Sequence, residues 1–268
     1  MLERIDFAVR HMASVAGNLN NNDDNNSSRT KKVDDPQLLI PNFSYNIFDL
    51  IQDFIYNPGG VLEVGGSAEV DKYPIYIPKG SFPAPESPPM GKVALIGHSA
   101  GGWICRAYLS NRDYGGRSYN GHELIHSLIT LGSPHGNAPG PAFKGVEWVN
   151  RNNTDIVDSG VRALAVAGTG YKGNSSGELT RGAYSFCCPY GSDGSQYDGD
   201  GVTPIDSALA MKLYMTQCDT LVLDNVGHFC WSDVFGGSFV APELTKYHLE
   251  GRPWYGDDAI VDKWVNWL

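Results

Sequence analysis

The sequence predicts an α/β fold: a mostly parallel β-sheet with helices on both of its faces. From residue 92 onward, short apolar stretches alternate with stretches of helical periodicity, which is the pattern of a parallel sheet with crossover helices. The first strand-to-helix junction is the glycine-rich stretch "GHSAGG" at 97–102. At 268 residues with 41% hydrophobic side chains, the chain is long enough for one large core.

Composition argues against several classes of function. There are 30 acidic and 20 basic side chains, and the net charge of −10 argues against a nucleic-acid partner. No apolar run approaches the length of a transmembrane segment. The five cysteines form no C-x-x-C pair, so we expect mostly reduced thiols, with one disulfide as the alternative, and an intracellular location. The sequence leaves the oligomeric state unknown.

The N-terminal stretch, residues 1–17, predicts an amphipathic helix. Its apolar face is formed by Leu2, Ile5, Val9 and Met12. Charged side chains interrupt the apolar run that a signal peptide needs.

The stretch that follows, residues 18–91, lacks a regular pattern. It begins with a polar, low-complexity segment at 18–35, which indicates a surface loop. Mixed strand and helix signals follow at 36–80, and a proline-rich connector ends it at 81–91. Residues 18–91 are therefore either an insertion or a diverged N-terminal part of the domain, whose core is 92–268.

Periodicity within this core predicts four strands and three helices. The strands are expected at 92–96, 126–131, 162–168 and 219–224, and the helices at 102–110, 204–214 and 257–267.

Ser99 lies between the first strand and the first helix, in the pattern Gly-x-Ser-x-Gly. This pattern is typical of a nucleophile elbow, in which the serine sits on a strained turn at the end of a strand. We expect Gly97 and Gly101 to be needed because side chains there would clash in the turn. The backbone N–H of Ala100 would then face a developing oxyanion. The alternative is a glycine-rich turn that only packs two elements together.

The base for such a serine is expected to be His228. In an α/β-hydrolase fold the chain order is serine, acid, histidine, and His228 follows the strand "TLVLDNV". His11 precedes the serine, His98 is expected to face away from it, and His248 is expected to be solvated. The histidines that come too early to follow an acid are His122, His126 and His135.

The acid is expected to be Asp200, with Asp198 as the next candidate. Asp200 lies in "YDGDGVTP", where flanking glycines let a carboxylate approach another loop closely. The other aspartates that satisfy the chain order are Asp193, Asp206, Asp219 and Asp224. A calcium loop is the rival reading of this cluster, but the spacing lacks the glycine and terminal glutamate of such a loop.

Six blocks of the sequence resemble a known family. They are "LIGHSAGGW", "LITLGSPHG", "ALAVAGTG", "DGDGVTP", "NVGHF" and "RPWYG…IVDKWV". In this order they are similar to α/β-hydrolase-fold lipase-like proteins of plants and algae, which are related to GPI inositol-deacylase-like alpha/beta domains. The resemblance covers about 90–268, with a fragment in 1–17. It implies ester hydrolysis, a triad on Ser99, Asp200 and His228, and a plastid or endomembrane location as alternatives.

The sequence departs from this family upstream of Ser99. It has no Pro-Gly or His-Gly loop, which would supply a second oxyanion donor. Either 18–91 is an insertion and N-terminal strands are lacking, or "LLIPNFSYN" is a diverged strand whose Asn42 or Phe43 donates its N–H. His135 is expected at the pocket rim or in a turn. The aromatic candidates for a pocket wall are Trp103, Trp148, Tyr171 and Phe229.

Together these observations predict a serine hydrolase that cleaves a carboxylic ester through an acyl-enzyme, without a metal or organic cofactor. Its substrate would be an ester or acyl lipid; lipid ester, thioester and GPI-inositol acyl bonds are not distinguished. Two alternatives remain: a non-catalytic or truncated hydrolase-fold scaffold, and an acyltransferase with the same triad.

Overall fold

A computed structural model describes residues 2, 5, 6, 8–10, 12, 13, 91–152, 159–189, 192–231 and 241–268. The strands are β1 (Val93–His98), β2 (Ile125–Leu131), β3 (Arg162–Gly168) and β4 (Cys218–Leu223). The helices are α1 (Ala100–Leu109), α2 (Lys144–Asn152), α3 (Glu178–Cys187), α4 (Ile205–Leu209), α5 (Pro242–Leu249) and α6 (Asp258–Trp264). The predictions for 14–90, including the loop, the connector and the candidates Asn42 and Phe43, lie outside the described residues.

The four strands form one sheet in the order β1-β2-β3-β4, and each neighbouring pair is parallel. The carboxyl ends of parallel strands meet at one edge of the sheet, so the loops that follow them also meet there. This confirms the predicted α/β architecture and places the ends of all four strands where a common site can form.

Helices cover both faces of the sheet because the strands alternate between two cores. In β3, Ala163 and Ala165 belong to the first core, whereas Leu164 and Val166 belong to the second. The first core packs against α1 and α2, and the second packs against α6. Strands buried on both faces read as continuous apolar runs, which is why "RALAVAG" was recognisable as a strand.

Element boundaries differ from the predictions where local geometry overrides periodicity. β1 runs on to His98, because its pairing with β2 continues to the residue before Ser99. The predicted helix 204–214 is α4 followed by a tighter 3₁₀ turn at Ala210–Leu213. Helices α2, α3 and α5 were not predicted; α2 and α3 each contain an interior glycine, which weakens the helical signal.

The N-terminal stretch is helical at every described residue from 2 to 13, and it packs on the first core. Leu2 and Val9 are buried as predicted, but the prediction for Met12 is wrong, since that side chain is 44% exposed. Asp6 and Ala13 are fully buried on this face instead.

Asp6 fastens this helical stretch to the core through a buried carboxylate. Its oxygens accept hydrogen bonds from Arg10 Nε at 2.9 Å, Tyr108 Oη at 3.2 Å and Arg117 Nη2 at 3.1 Å. Tyr108 lies on α1, so the contact joins the N-terminal stretch to the helix that follows Ser99.

The two described residues that flank residues 14–90 are in contact. The N–H of Gly91 donates to the carbonyl of Ala13 at 2.8 Å. Residues 14–90 therefore leave and rejoin the described part of the chain at one point, directly before β1.

None of the helices among the described residues is both long and apolar enough to cross a membrane.

Candidate active site

Ser99 occupies a strained backbone position between β1 and α1. Its φ of 55° and ψ of −131° lie in a region that non-glycine residues rarely adopt, at a strain on the order of 1–3 kcal/mol. A Cβ at Gly97 would lie 2.6 Å from Gly102 Cα, so glycine is required there, as expected. The expectation for Gly101 is wrong, because a Cβ there meets nothing within 4 Å. Gly102 is the tight position instead, since its Cα faces Ser133.

Asp200 and His228 form a buried pair at the carboxyl edge of the sheet. His228 Nδ1 lies 2.7 Å from Asp200 Oδ2, and both side chains are essentially inaccessible to solvent. The other carboxylate oxygen, Oδ1, accepts hydrogen bonds from the N–H groups of Val202 at 2.9 Å and Thr203 at 2.7 Å. The His228 N–H also donates to the Asp200 carbonyl at 2.8 Å. Side chain and backbone thus fix the two residues together.

The flanking glycines act as the sequence predicted. A Cβ at Gly199 would lie 2.8 Å from Pro204 Cα, and Gly201 has a φ of +99°. The loop therefore folds tightly enough for two of its own N–H groups to reach the Asp200 carboxylate.

Ser99 is linked to the Asp200–His228 pair by the end of β2. Its N–H donates to the carbonyl of Leu131 at 3.0 Å, and the next residue, Gly132, packs against both Asp200 and His228. Within the described part of the chain, His228 Nε2 is buried and has no hydrogen-bond partner, so it makes no hydrogen bond to Ser99 Oγ. Catalytic hydrogen bonds are often long before substrate binds, so the missing bond does not count against Ser99 as the nucleophile. The roles of Ser99, His228 and Asp200 stay predictions.

Ala100 is the first residue of α1, directly after Ser99. The first N–H groups of an α-helix have no acceptor within the helix, and the oxyanion role of this amide stays a prediction.

His98 belongs to the site, although sequence reasoning set it aside. Its Nε2 donates to the His228 carbonyl at 2.9 Å, and the two imidazole rings lie 4.6 Å apart. Burial, together with the adjacent His228, lowers the pKa of His98 to about 3, so this ring stays neutral. No local pattern encodes this contact, because it depends on where a loop 130 residues later returns.

Tyr255 is the second residue that sequence reasoning missed. Its hydroxyl donates to Asp200 Oδ2 at 2.9 Å and accepts the N–H of Gly168 at 2.6 Å. The only signal was its place in the block "RPWYG", which carried part of the family resemblance.

The other candidate acids and bases have separate partners. Asp198 accepts the N–H of Gly170 at 2.8 Å and braces the loop. His135 is fully buried, neither at a rim nor in an exposed turn, and it accepts from Arg106 Nη1 at 3.2 Å. Burial and this guanidinium hold the pKa of His135 well below its usual range. His248 is half-buried rather than solvated, with Nε2 3.4 Å from Cys230 Sγ.

The four aromatic candidates separate into two groups. Phe229 packs edge-on against the His228 ring at 4.4 Å, and the Tyr171 hydroxyl lies beside Gly227. Trp103 and Trp148 pack on the first core, between α1 and α2.

All five cysteines are free, so the alternative of one disulfide is wrong. Among the described residues, no group of three or more histidines, cysteines, aspartates or glutamates is arranged to hold a metal ion.

Parallel sheet, serine turn and covering helices together define a protein of the α/β-hydrolase type. The chain belongs to the PGAP1-like alpha/beta domain family, whose sequence model matches residues 9–156. This confirms the resemblance to GPI inositol-deacylase-like alpha/beta domains. It also supports an esterase-like hydrolase as the general class of the protein. A comparison with curated proteins found no match.

The extent of the match differs from the resemblance in the sequence. It begins at residue 9, within the fragment expected at 1–17, continues through 18–89, and ends before Asp200 and His228. The match includes Ser99, whereas the acid and the base rest on the geometry described above.

Proposed function

We propose that the chain is a serine hydrolase of carboxylic esters, with Ser99 as nucleophile, His228 as base and Asp200 as the acid that orients the base. The observation that carries the proposal is the buried 2.7 Å contact between Asp200 Oδ2 and His228 Nδ1, at the sheet edge where Ser99 follows β1. The Asp200 carboxylate accepts a hydrogen bond from Nδ1–H of His228, which leaves Nε2 of His228 as the basic atom.

The proposed reaction has two steps. His228 Nε2 removes the proton from Ser99 Oγ as the oxygen attacks the ester carbonyl, and the Ala100 N–H stabilises the oxyanion. His228 then protonates the leaving alcohol, which departs and leaves the acyl group bound to Ser99 Oγ as the acyl-enzyme. In the second step His228 takes a proton from water as the water oxygen attacks the acyl carbon. The bond between that carbon and Ser99 Oγ then breaks, the proton returns to Ser99 and the carboxylic acid leaves.

Labelling with a fluorophosphonate probe tests this proposal. The probe is expected to label the wild type and not Ser99→Ala, while the control Ser118→Ala, at an exposed loop serine, is labelled normally. Hydrolysis of p-nitrophenyl butyrate is expected to follow the same pattern. A panel of a lipid ester, a thioester and an acylated inositol then identifies the bond that is cleaved.

Two other outcomes would replace the proposal. Folded wild type that is neither labelled nor active would indicate a non-catalytic scaffold. Labelled protein that transfers its acyl group to an added alcohol faster than to water would indicate an acyltransferase.

A further inference from the structure

The neighbours of the Tyr255 hydroxyl fix the direction of its O–H bond. Tyr255 is 1% exposed, and the N–H of Gly168 donates to its oxygen at 2.6 Å. Its own proton is therefore directed to the other neighbour, Asp200 Oδ2, at 2.9 Å. Burial, and the carboxylate beside it, raise the pKa of Tyr255 well above its usual value, so the hydroxyl keeps this proton.

Two donors meet on a single oxygen of Asp200. Oδ2 accepts from Tyr255 Oη and from His228 Nδ1, whereas Oδ1 accepts from two backbone N–H groups. A carboxylate oxygen that already accepts one hydrogen bond is a weaker acceptor for the next, because its charge is partly satisfied. The strength of the bond to His228 thus depends on the bond to Tyr255.

We propose that Tyr255 is a positioning residue that moderates the hold of Asp200 on His228 and so sets the pH at which the site becomes active. The inference rests on the proposed function of the two residues, but it concerns a group that touches neither substrate nor Ser99 in that proposal.

The groups around His228 allow the effect of Tyr255 on His228 to be measured separately. Among the described residues, the titratable groups that face it are Asp200 from the loop before α4, His98 from the end of β1 and Tyr255 from the turn before α6. His98 stays neutral because its pKa is about 3, so it does not change charge over the working range. The hydroxyl of Tyr184 accepts the N–H of Gly201, the residue after Asp200.

Replacing Tyr255 with phenylalanine removes one donor and keeps the ring. Oδ2 then becomes a better acceptor for Nδ1–H and stabilises protonated His228 more strongly. We expect the acidic limb of the kcat/KM profile for p-nitrophenyl butyrate to move to higher pH by about 0.5–1 unit. The plateau of kcat/KM is expected to fall by roughly 3- to 10-fold, since the carboxylate loses one of its four anchors.

A second substitution works in the opposite direction. Replacing Tyr255 with 3-fluorotyrosine keeps the shape and makes the hydroxyl a stronger donor, so the limb is expected to move to lower pH. Loss of packing alone cannot shift the two variants in opposite directions. This variant also keeps the inference testable if Tyr255→Phe does not fold.

The control is Tyr108→Phe, which removes another buried hydroxyl that donates to a carboxylate, that of Asp6, on the first core. It is expected to lower the free energy of unfolding without moving the pH profile. A second readout, the NMR titration of the His228 ring proton, needs no substrate. If neither Tyr255 variant moves that titration by more than about 0.2 unit, the inference is wrong. If the titration moves as expected while the wild type is inactive, Tyr255 moderates the hold of Asp200 on His228 as inferred, and the proposed function fails.

Discussion

Gly132 lies beneath the contact between Asp200 and His228, and replacing it with alanine perturbs the proposed site without altering any of its functional side chains. Gly132 directly follows β2 and has a φ of +55°. A Cβ there would lie 3.0 Å from His228 Nδ1 and 2.8 Å from Tyr255 Cε2, and it would be closer still to Asp200 Oδ2. Since heavy atoms pack at about 3.5–4.0 Å, the carboxylate has to move by about 1 Å.

That movement is large compared with the bond it disturbs. The Asp200–His228 distance is 2.7 Å, and an added 1 Å takes it out of hydrogen-bonding range. Misplacing a catalytic group by about 1 Å lowers the rate about 100-fold, and loss of the orienting acid lowers kcat by up to about 10⁴-fold. We therefore expect kcat/KM to fall between about 10²- and 10⁴-fold.

The same substitution also lowers the free energy of unfolding. A left-handed backbone at a non-glycine residue is less stable by about 1–2 kcal/mol. Overpacking adds about 1–3 kcal/mol. This is less than the total stability of most domains, about 5–15 kcal/mol, so the variant is expected to fold.

The assay is kcat/KM for p-nitrophenyl butyrate, with urea unfolding to establish that each variant is folded. Gly115→Ala is the matched control: its φ is +65°, and a Cβ there meets nothing within 4 Å. It shares the backbone strain and is expected to keep full activity. A folded Gly132→Ala variant with activity within threefold of the wild type would show that the contact above it has no part in the reaction.

Three further predictions concern stability. Asp6→Asn removes the buried negative charge to which three groups donate hydrogen bonds. We expect the free energy of unfolding, measured in urea, to fall by about 1–3 kcal/mol. A change below about 0.5 kcal/mol, roughly the scatter of such measurements, would show that Asp6 does not stabilise the fold in this way. The pKa of His98 is about 3 in the folded protein and 6.5 in the unfolded chain, so below pH 6.5 only the unfolded chain binds this proton. Stability is expected to fall by up to about 1.4 kcal/mol per pH unit from pH 6.5 toward pH 3, and His98→Gln should remove that contribution; parallel pH curves for the two proteins would disprove it. Replacing residues 18–89 with a short Gly/Ser linker is expected to leave a folded protein, as judged by thermal unfolding, because Gly91 already bonds to Ala13. If the folded deletion variant also keeps its esterase activity, the segment is an insertion, whereas a loss of about 100-fold would indicate that it supplies the second oxyanion donor.

Local chemistry explains what could be predicted of the fold. The strands were recognisable because each is a short, mostly apolar run, as in "VALIGH" and "RALAVAG". The second of these is also buried on both faces. The helices between them were harder to recognise. In α2 only Val146 and Val149 are buried, so the apolar stripe that marks the helix is narrow.

The residues of the candidate site also fall into those that the sequence predicted and those that it did not. Ser99 and Asp200 were found because the glycines around them are neighbours in the sequence. His98 and Tyr255 were missed because their partners are 130 and 55 residues away, and neither has a distinctive local pattern. The choice of Gly101 over Gly102 failed for a related reason, since the residue that excludes a side chain at 102 is Ser133, on the loop after the next strand.

Glycines at the ends of strands carry a signal for such distant contacts. Gly132 follows β2, and Gly168 ends β3. A Cβ at Gly168 would lie 3.0 Å from Asp200 Cβ and 3.1 Å from the Tyr255 hydroxyl, and one at Gly132 would meet the same two residues. Both glycines leave space at the sheet edge that side chains from two later loops fill. A glycine at the carboxyl end of a buried strand therefore predicts that another part of the chain converges there, even where it does not identify which residue arrives.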